Sequence, residues 1–121
     1  METFQLVERQ LQPGCHEIQI EGDLDLSVAN RFQEALDRVS PDHDRILIDL
    51  ERCEFLDSTG IAVIVRTHTK MAEEGRRVTV HGASEQVLHI LSITGLTENG
   101  LVFDNADEAL AASEDTAGST P

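Results

Sequence analysis

The residues best equipped for chemistry stand together in one short polar stretch, Asp57-Ser58-Thr59-Gly60. It follows an apolar run and precedes a helical pattern, the place in open α/β sheets where ligand and partner sites gather. A hydroxyl there lies beside unpaired N–H groups and the positive end of a helix dipole, a setting that accommodates a phosphate. Ser58 is therefore compatible with a helix cap worth ~1 kcal/mol, a phosphoacceptor or a nucleophile. Local pattern alone favours the cap, because Ser and Asp before a helix are commonplace.

The nucleophile has the least support. The chain lacks the Gly-x-Ser-x-Gly elbow, and no base can be assigned to Ser58. His16, His43, His68, His81 and His89 are scattered without metal-ligand spacing, so no metal site is expected. His68 falls on an apolar helix stripe and reads as a satisfied, half-buried residue. The glycine segments Glu21-Gly22-Asp23, His81-Gly82-Ala83 and Thr94-Gly95-Leu96 form neither a phosphate loop nor a dinucleotide fingerprint. No catalytic residue and no cofactor are expected. Cys15 and Cys53 are too few for a disulfide framework and read as reduced, partly buried thiols.

The formal net charge is −14, from 23 acidic against nine basic residues. Such a surface repels nucleic acid and anionic lipid, since phosphate binding needs clustered Lys and Arg. Any role in transcription must then run through another protein. Apolar residues make up 40% of the 121-residue chain, with no Trp, no Tyr and four Phe, so the core must be aliphatic. No apolar run approaches the ~20 residues that span a bilayer, and the N-terminus lacks a leader pattern. A cytoplasmic protein without membrane insertion is expected.

Elements must position the polar stretch. Residues 4–11 and 16–21 read as strands around a Gln12-Pro13-Gly14 turn, with Ile18 and Ile20 alternating against polar neighbours. Gly22-Asp23-Leu24-Asp25 breaks that pattern before a helix over 27–39, capped by Ser27 and striped by Val28, Phe32, Ala35, Leu36 and Val39. Residues 45–50 are nearly all apolar, as in a central strand covered on both faces. A second helix opens near Ser58, with Ile61, Ile64, Val65, His68, Met71 and Ala72 in register, and Gly75 stops it. Phe55 and Leu56 read as core. A strand over 77–81, a helix opened by Ser84 with Val87, Leu88, Ile90 and Leu91 inward, a strand over 101–103 and a helix over 104–112 complete the pattern. In that last helix Ala106, Ala109 and Leu110 face inward, and 113–121 reads as a disordered polar tail. One α/β domain over 1–112 follows, with a mixed, mainly parallel sheet of about five strands and about four helices.

Three ordered segments resemble the STAS family: Glu21-Gly-Asp-Leu-Asp25, Ile48-Asp-Leu-Glu-Arg-Cys-Glu-Phe-Leu-Asp-Ser-Thr-Gly-Ile61, and Ser84 to Leu96 ending Ser92-Ile-Thr-Gly-Leu96. Thr59 stands where a second Ser is frequent, and Asp23 where Glu is frequent. The stand-alone members of this length act as anti-sigma factor antagonists. The resemblance implies that Ser58 is phosphorylated by a kinase-like anti-sigma factor and restored by a metal-dependent serine phosphatase, with Thr59 the competing hydroxyl. It also implies a partner surface that includes Asp23, Asp25, Asp57, Thr59 and Gly60. For Asp25 a turn or cap role weighs as much as contact, and for Gly60 tight packing weighs as much as access. Other STAS domains are adaptors in stress-signalling or lipid-trafficking complexes, which leaves a non-phosphorylated adaptor as the alternative.

Overall fold

A computed structural model describes residues 4–98 and 100–114. Strands β1 (Gln5–Gln12) and β2 (Cys15–Leu24) form an antiparallel hairpin. Helix α1 (Leu26–Val39) leads to β3 (Arg45–Asp49) and β4 (Cys53–Leu56), and then to α2 (Ser58–Glu73). The chain continues through β5 (Arg77–His81), α3 (Glu85–Ile93), β6 (Val102–Phe103) and α4 (Ala106–Glu114). The sheet order is β1-β2-β3-β5-β6, with β4 paired to β2 off that path. Apart from the hairpin, every pairing is parallel.

The aliphatic composition is used on both sheet faces. Ile18, Ile20, Ile46, Ile48, Val78 and Val80 pack with the stripes of α1 and α2 and with Val87 and Leu91 of α3. On the other face Cys15 and Leu47 pack with Ala109 of α4. Ile46, Leu47 and Ile48 are all fully buried, as expected of a central strand covered on both sides.

Besides β1, strand β2 serves two parallel neighbours. Residues 15–19 pair with β3, whereas Gly22, Asp23 and Leu24 pair with Cys53, Phe55 and Leu56 of β4. The register slips between Gly22 and Asp23, and Gly22 adopts φ 93°, a conformation that residues with a Cβ rarely take. The segment expected to break the strand therefore bends it and carries it on to Leu24.

Several expectations need correction. Asp25, not Ser27, caps α1: its carboxylate accepts the Ser27 N–H at 3.0 Å and the Ser27 hydroxyl at 2.6 Å. Residues 53–56 form a strand in the stretch between the central strand and the second helix, where no element is expected. Because Leu24 and Leu56 face inward in that two-strand pairing, Phe55 faces outward and is 39% exposed; it is not core. Val65, Ala72, Leu88 and Ala106 are also exposed, and Val63 takes the buried place on α2 instead. His68 is half-buried as expected, but its Nδ1 is buried without a partner, and burial together with the nearby Arg77 holds its pKa below the ordinary histidine value. Cys15 and Cys53 are fully rather than partly buried. Helix α4 runs to Glu114 with Ser113 buried, two residues beyond the helix end expected at 112; residues 115–121 of the expected tail lie outside the described residues.

Candidate functional site

Two parallel strand ends build the site. Asp23-Leu24-Asp25 closes β2, Phe55-Leu56-Asp57 closes β4, and each buries its Leu and follows it with an Asp that caps a helix. The Asp57 N–H donates to Leu24 C=O at 3.2 Å, which holds the two ends together. Asp57 is extended (φ −103°, ψ −178°), as an N-cap requires.

The Asp57 carboxylate is heavily engaged. Its Oδ1 accepts the Thr59 N–H at 2.9 Å, the Gly60 N–H at 3.2 Å and the Thr59 hydroxyl at 2.5 Å. The Leu26 N–H at the start of α1 also reaches it. Burial opposes ionisation of Asp57, yet these bonds outweigh it and hold the carboxyl below its ordinary value of 3.8. One side chain thus stitches the starts of α1 and α2 into a single surface.

Ser58 is the first residue of α2 and is exposed. Among the described residues no hydrogen bond engages its hydroxyl. Asp57 caps the helix in its place, so the cap reading of Ser58 is wrong, and Ser58 and Thr59 part company here. The Thr59 hydroxyl is tied to Asp57 and half-buried, while the Ser58 hydroxyl projects into solvent.

The remaining candidates divide. Asp23 is exposed beside Phe55 in the β2–β4 register, and Asp25 is half-buried in its own cap. Gly60 is buried: a Cβ there would lie 2.7 Å from Leu24 Cγ and 2.8 Å from Leu56 Cδ1. Packing against these two side chains therefore requires a glycine here.

Around Ser58 the surface mixes apolar and acidic groups. Phe55 and Leu26, the latter 73% exposed, flank the Asp57 junction. A cleft of about 640 Å³ at the start of β4 is lined by Glu21, Glu51 and Glu54 together with Arg52. Cys53 offers no nucleophile, since burial pushes its thiol up to about 11. Sequence reasoning missed Phe55 and Leu26, although strict alternation about Leu56 would have turned Phe55 outward. It also missed that β2, β3 and β5 bring Glu17, Asp49 and His81 together.

Comparison with known families places this architecture. The model described as "Mlab, STAS domain" matches residues 7–103. The chain belongs to the STAS domain family. One STAS relative, an anti-sigma-B factor antagonist of Staphylococcus aureus, is 27% identical over 93 residues, covering 76% of this chain and 86% of that protein. The fold matches the crystal structure of an anti-sigma factor antagonist from Mycobacterium paratuberculosis with TM-score 0.82, at 23% identity over 93% of this chain and 95% of that one. It also matches the Bacillus cell fate determinant SpoIIAA in its phosphorylated form, with TM-score 0.69 at 18% identity, over 89% of this chain and 96% of that one. Within the STAS frame, no helix among the described residues is long and apolar enough to cross a membrane.

Proposed function

We propose that this STAS domain is a phosphorylation-switched anti-sigma factor antagonist. Unmodified, it binds a kinase-like anti-sigma factor and so frees the sigma factor held by that protein. The kinase then phosphorylates Ser58, which ends the association, and a metal-dependent serine phosphatase regenerates the binding form. The name of the Staphylococcus relative supports this reading, and this chain spans most of that protein's length. The observation that carries it is the exposed, uncommitted Ser58 hydroxyl next to a helix cap already filled by Asp57.

The same geometry gives the switch its sign. A phosphate brings about −1.5 to −2 charges at pH 7. The Thr59 and Gly60 N–H groups that would receive it already hold the Asp57 carboxylate. The phosphate therefore gains no easy anchor on its own helix and adds its charge beside an ionised group. Against one partner carboxylate at ~6 Å this amounts to on the order of 1–3 kcal/mol of repulsion. That loosens binding by roughly one to two powers of ten, and steric exclusion at Leu26 and Phe55 adds to it.

The protein acts as a binding module and not as an enzyme on this reading. Asp57 is the carboxylate adjacent to Ser58, and its lowered pKa and multiple hydrogen bonds make it a poor general base. Sigma-dependent transcription in cells tests the proposal. Ser58→Ala should be constitutively active and Ser58→Asp impaired; equal phenotypes would favour an adaptor that never uses the hydroxyl.

A further inference from the structure

The half of the outer sheet face that α4 leaves uncovered carries a group unrelated to Ser58. Glu17, Asp49 and His81 stand on adjacent strands β2, β3 and β5, and all three are more than nine-tenths buried. One donor atom from each lies within 4.8 Å of the others. His81 Nε2 has no hydrogen-bond partner and sits 3.5 Å from Glu17 Oε2, while His81 Nδ1 lies 4.0 Å from Asp49 Oδ1. A buried imidazole nitrogen left unpaired is costly unless something else completes it.

The geometry points to a divalent transition-metal site formed by Glu17, Asp49 and His81. Donors about 2.0–2.2 Å from a tetrahedral ion lie roughly 3.4 Å from one another. The Nε2–Glu17 separation already meets that spacing, and the wider limit of 4.8 Å asks for a contraction of at most about 1.4 Å, within reach of small rotations of these side chains. Outer partners orient the carboxylates as metal ligands usually require. Arg9 donates to Glu17 Oε1 at 2.8 Å, which leaves Oε2 facing the imidazole, and the Glu51 N–H donates to Asp49 Oδ1 at 2.9 Å.

Charge and access agree with this assignment. With the His81 imidazole neutral, as a metal ligand must be, two carboxylates against the single Arg9 guanidinium leave room for further positive charge in a buried place. A cavity of about 420 Å³, lined in part by Asp104 and Asn105 ahead of α4, opens onto all three residues and supplies space for bound water. One imidazole with two carboxylates suits the borderline Zn²⁺ best, with the harder Mn²⁺ next, ahead of the oxygen-seeking Mg²⁺ or Ca²⁺. The site is independent of the Ser58 switch.

Calorimetry of the chelator-treated full chain with Zn²⁺, Mn²⁺, Mg²⁺ and Ca²⁺, each alone, tests it. A single micromolar site for Zn²⁺ or Mn²⁺ is expected, with Mg²⁺ and Ca²⁺ at least about tenfold weaker. Glu17→Gln and His81→Ala should each weaken that site about tenfold or more, and His89→Ala should leave it unchanged. Should the buried variants not fold, Mn²⁺ broadening of amide resonances in the unmodified chain decides the matter. Broadening centred on residues 17, 49 and 81 supports the site. Absence of binding, or broadening centred on His16 and His43, whose ring centroids lie 4.8 Å apart, overturns it.

Discussion

The Thr59 hydroxyl donates to Asp57 Oδ1 at 2.5 Å, and this bond separates the roles of two adjacent hydroxyls. Thr59 is spent on the helix cap, and Ser58 is left to solvent. Intact-mass analysis after incubation with the cognate kinase should therefore find one phosphate on the wild type and none on Ser58→Ala. Thr59→Val should still accept one, while urea unfolding shows it less stable by about 1 kcal/mol. A phosphate retained by Ser58→Ala would move the acceptor to Thr59.

Asp57 should matter more to stability than an ordinary surface carboxylate. Asp57→Ala frees the Thr59 and Gly60 N–H groups and cuts the tie to Leu26, at a cost of about 1–2 kcal/mol in chemical denaturation. Asp57→Asn keeps a neutral acceptor and should cost less. Because the folded carboxyl titrates below its ordinary value, its contribution is complete above about pH 4 and lost as pH falls through the folded pKa. Stability of Asp57→Asn should accordingly fall less steeply at acid pH than that of the wild type.

Gly60→Ala sets helix propensity against packing. Alanine favours a helix interior by about 1 kcal/mol, but its Cβ would press on Leu24 and Leu56 at under 3 Å. Overpacking of this kind costs about 1–3 kcal/mol, so a net loss in the thermal midpoint is expected. Partner affinity of the folded fraction should change little, which separates packing from contact.

Much of this was legible beforehand, and the gaps have physical causes. The stripes of α1, the twin-sided burial of β3 and the Ser84 cap of α3, which accepts the Val87 N–H at 3.2 Å, all follow from local periodicity and capping chemistry. Strand β4 did not, because four residues carry too little pattern and their pairing depends on a bend at Gly22. Phe55 reads as core by residue type, whereas alternation about the buried Leu56, fixed by the β2–β4 register, turns it outward. Asp25 and Asp57 were recognised as important, but which residue of each Asp-x-Ser/Thr run caps the helix is decided by backbone angles. The Glu17–Asp49–His81 group is the clearest case: 64 residues of chain separate its ends, and parallel register alone unites them.

Phe55 and Leu26 should contribute to binding without holding the fold. Both are exposed beside the switch, so Phe55→Ala and Leu26→Ala should leave the thermal midpoint within a few degrees of wild type. Each should weaken the anti-sigma factor about tenfold or more if it sits at the centre of the interface. Unchanged affinity in both would place the interface elsewhere.

The central claim is that phosphate on Ser58 ends partner binding locally, and calorimetry of the unmodified and singly phosphorylated chain against the cognate anti-sigma factor tests it most directly. Phosphorylation should weaken binding by at least about one to two powers of ten, and Ser58→Asp, with a single charge, by less. Amide shifts recorded on both forms should change near the starts of α1 and α2 and stay constant across β3 and β5. Equal affinity of the two forms would contradict the switch, and shift changes spread through the sheet would contradict its local mechanism.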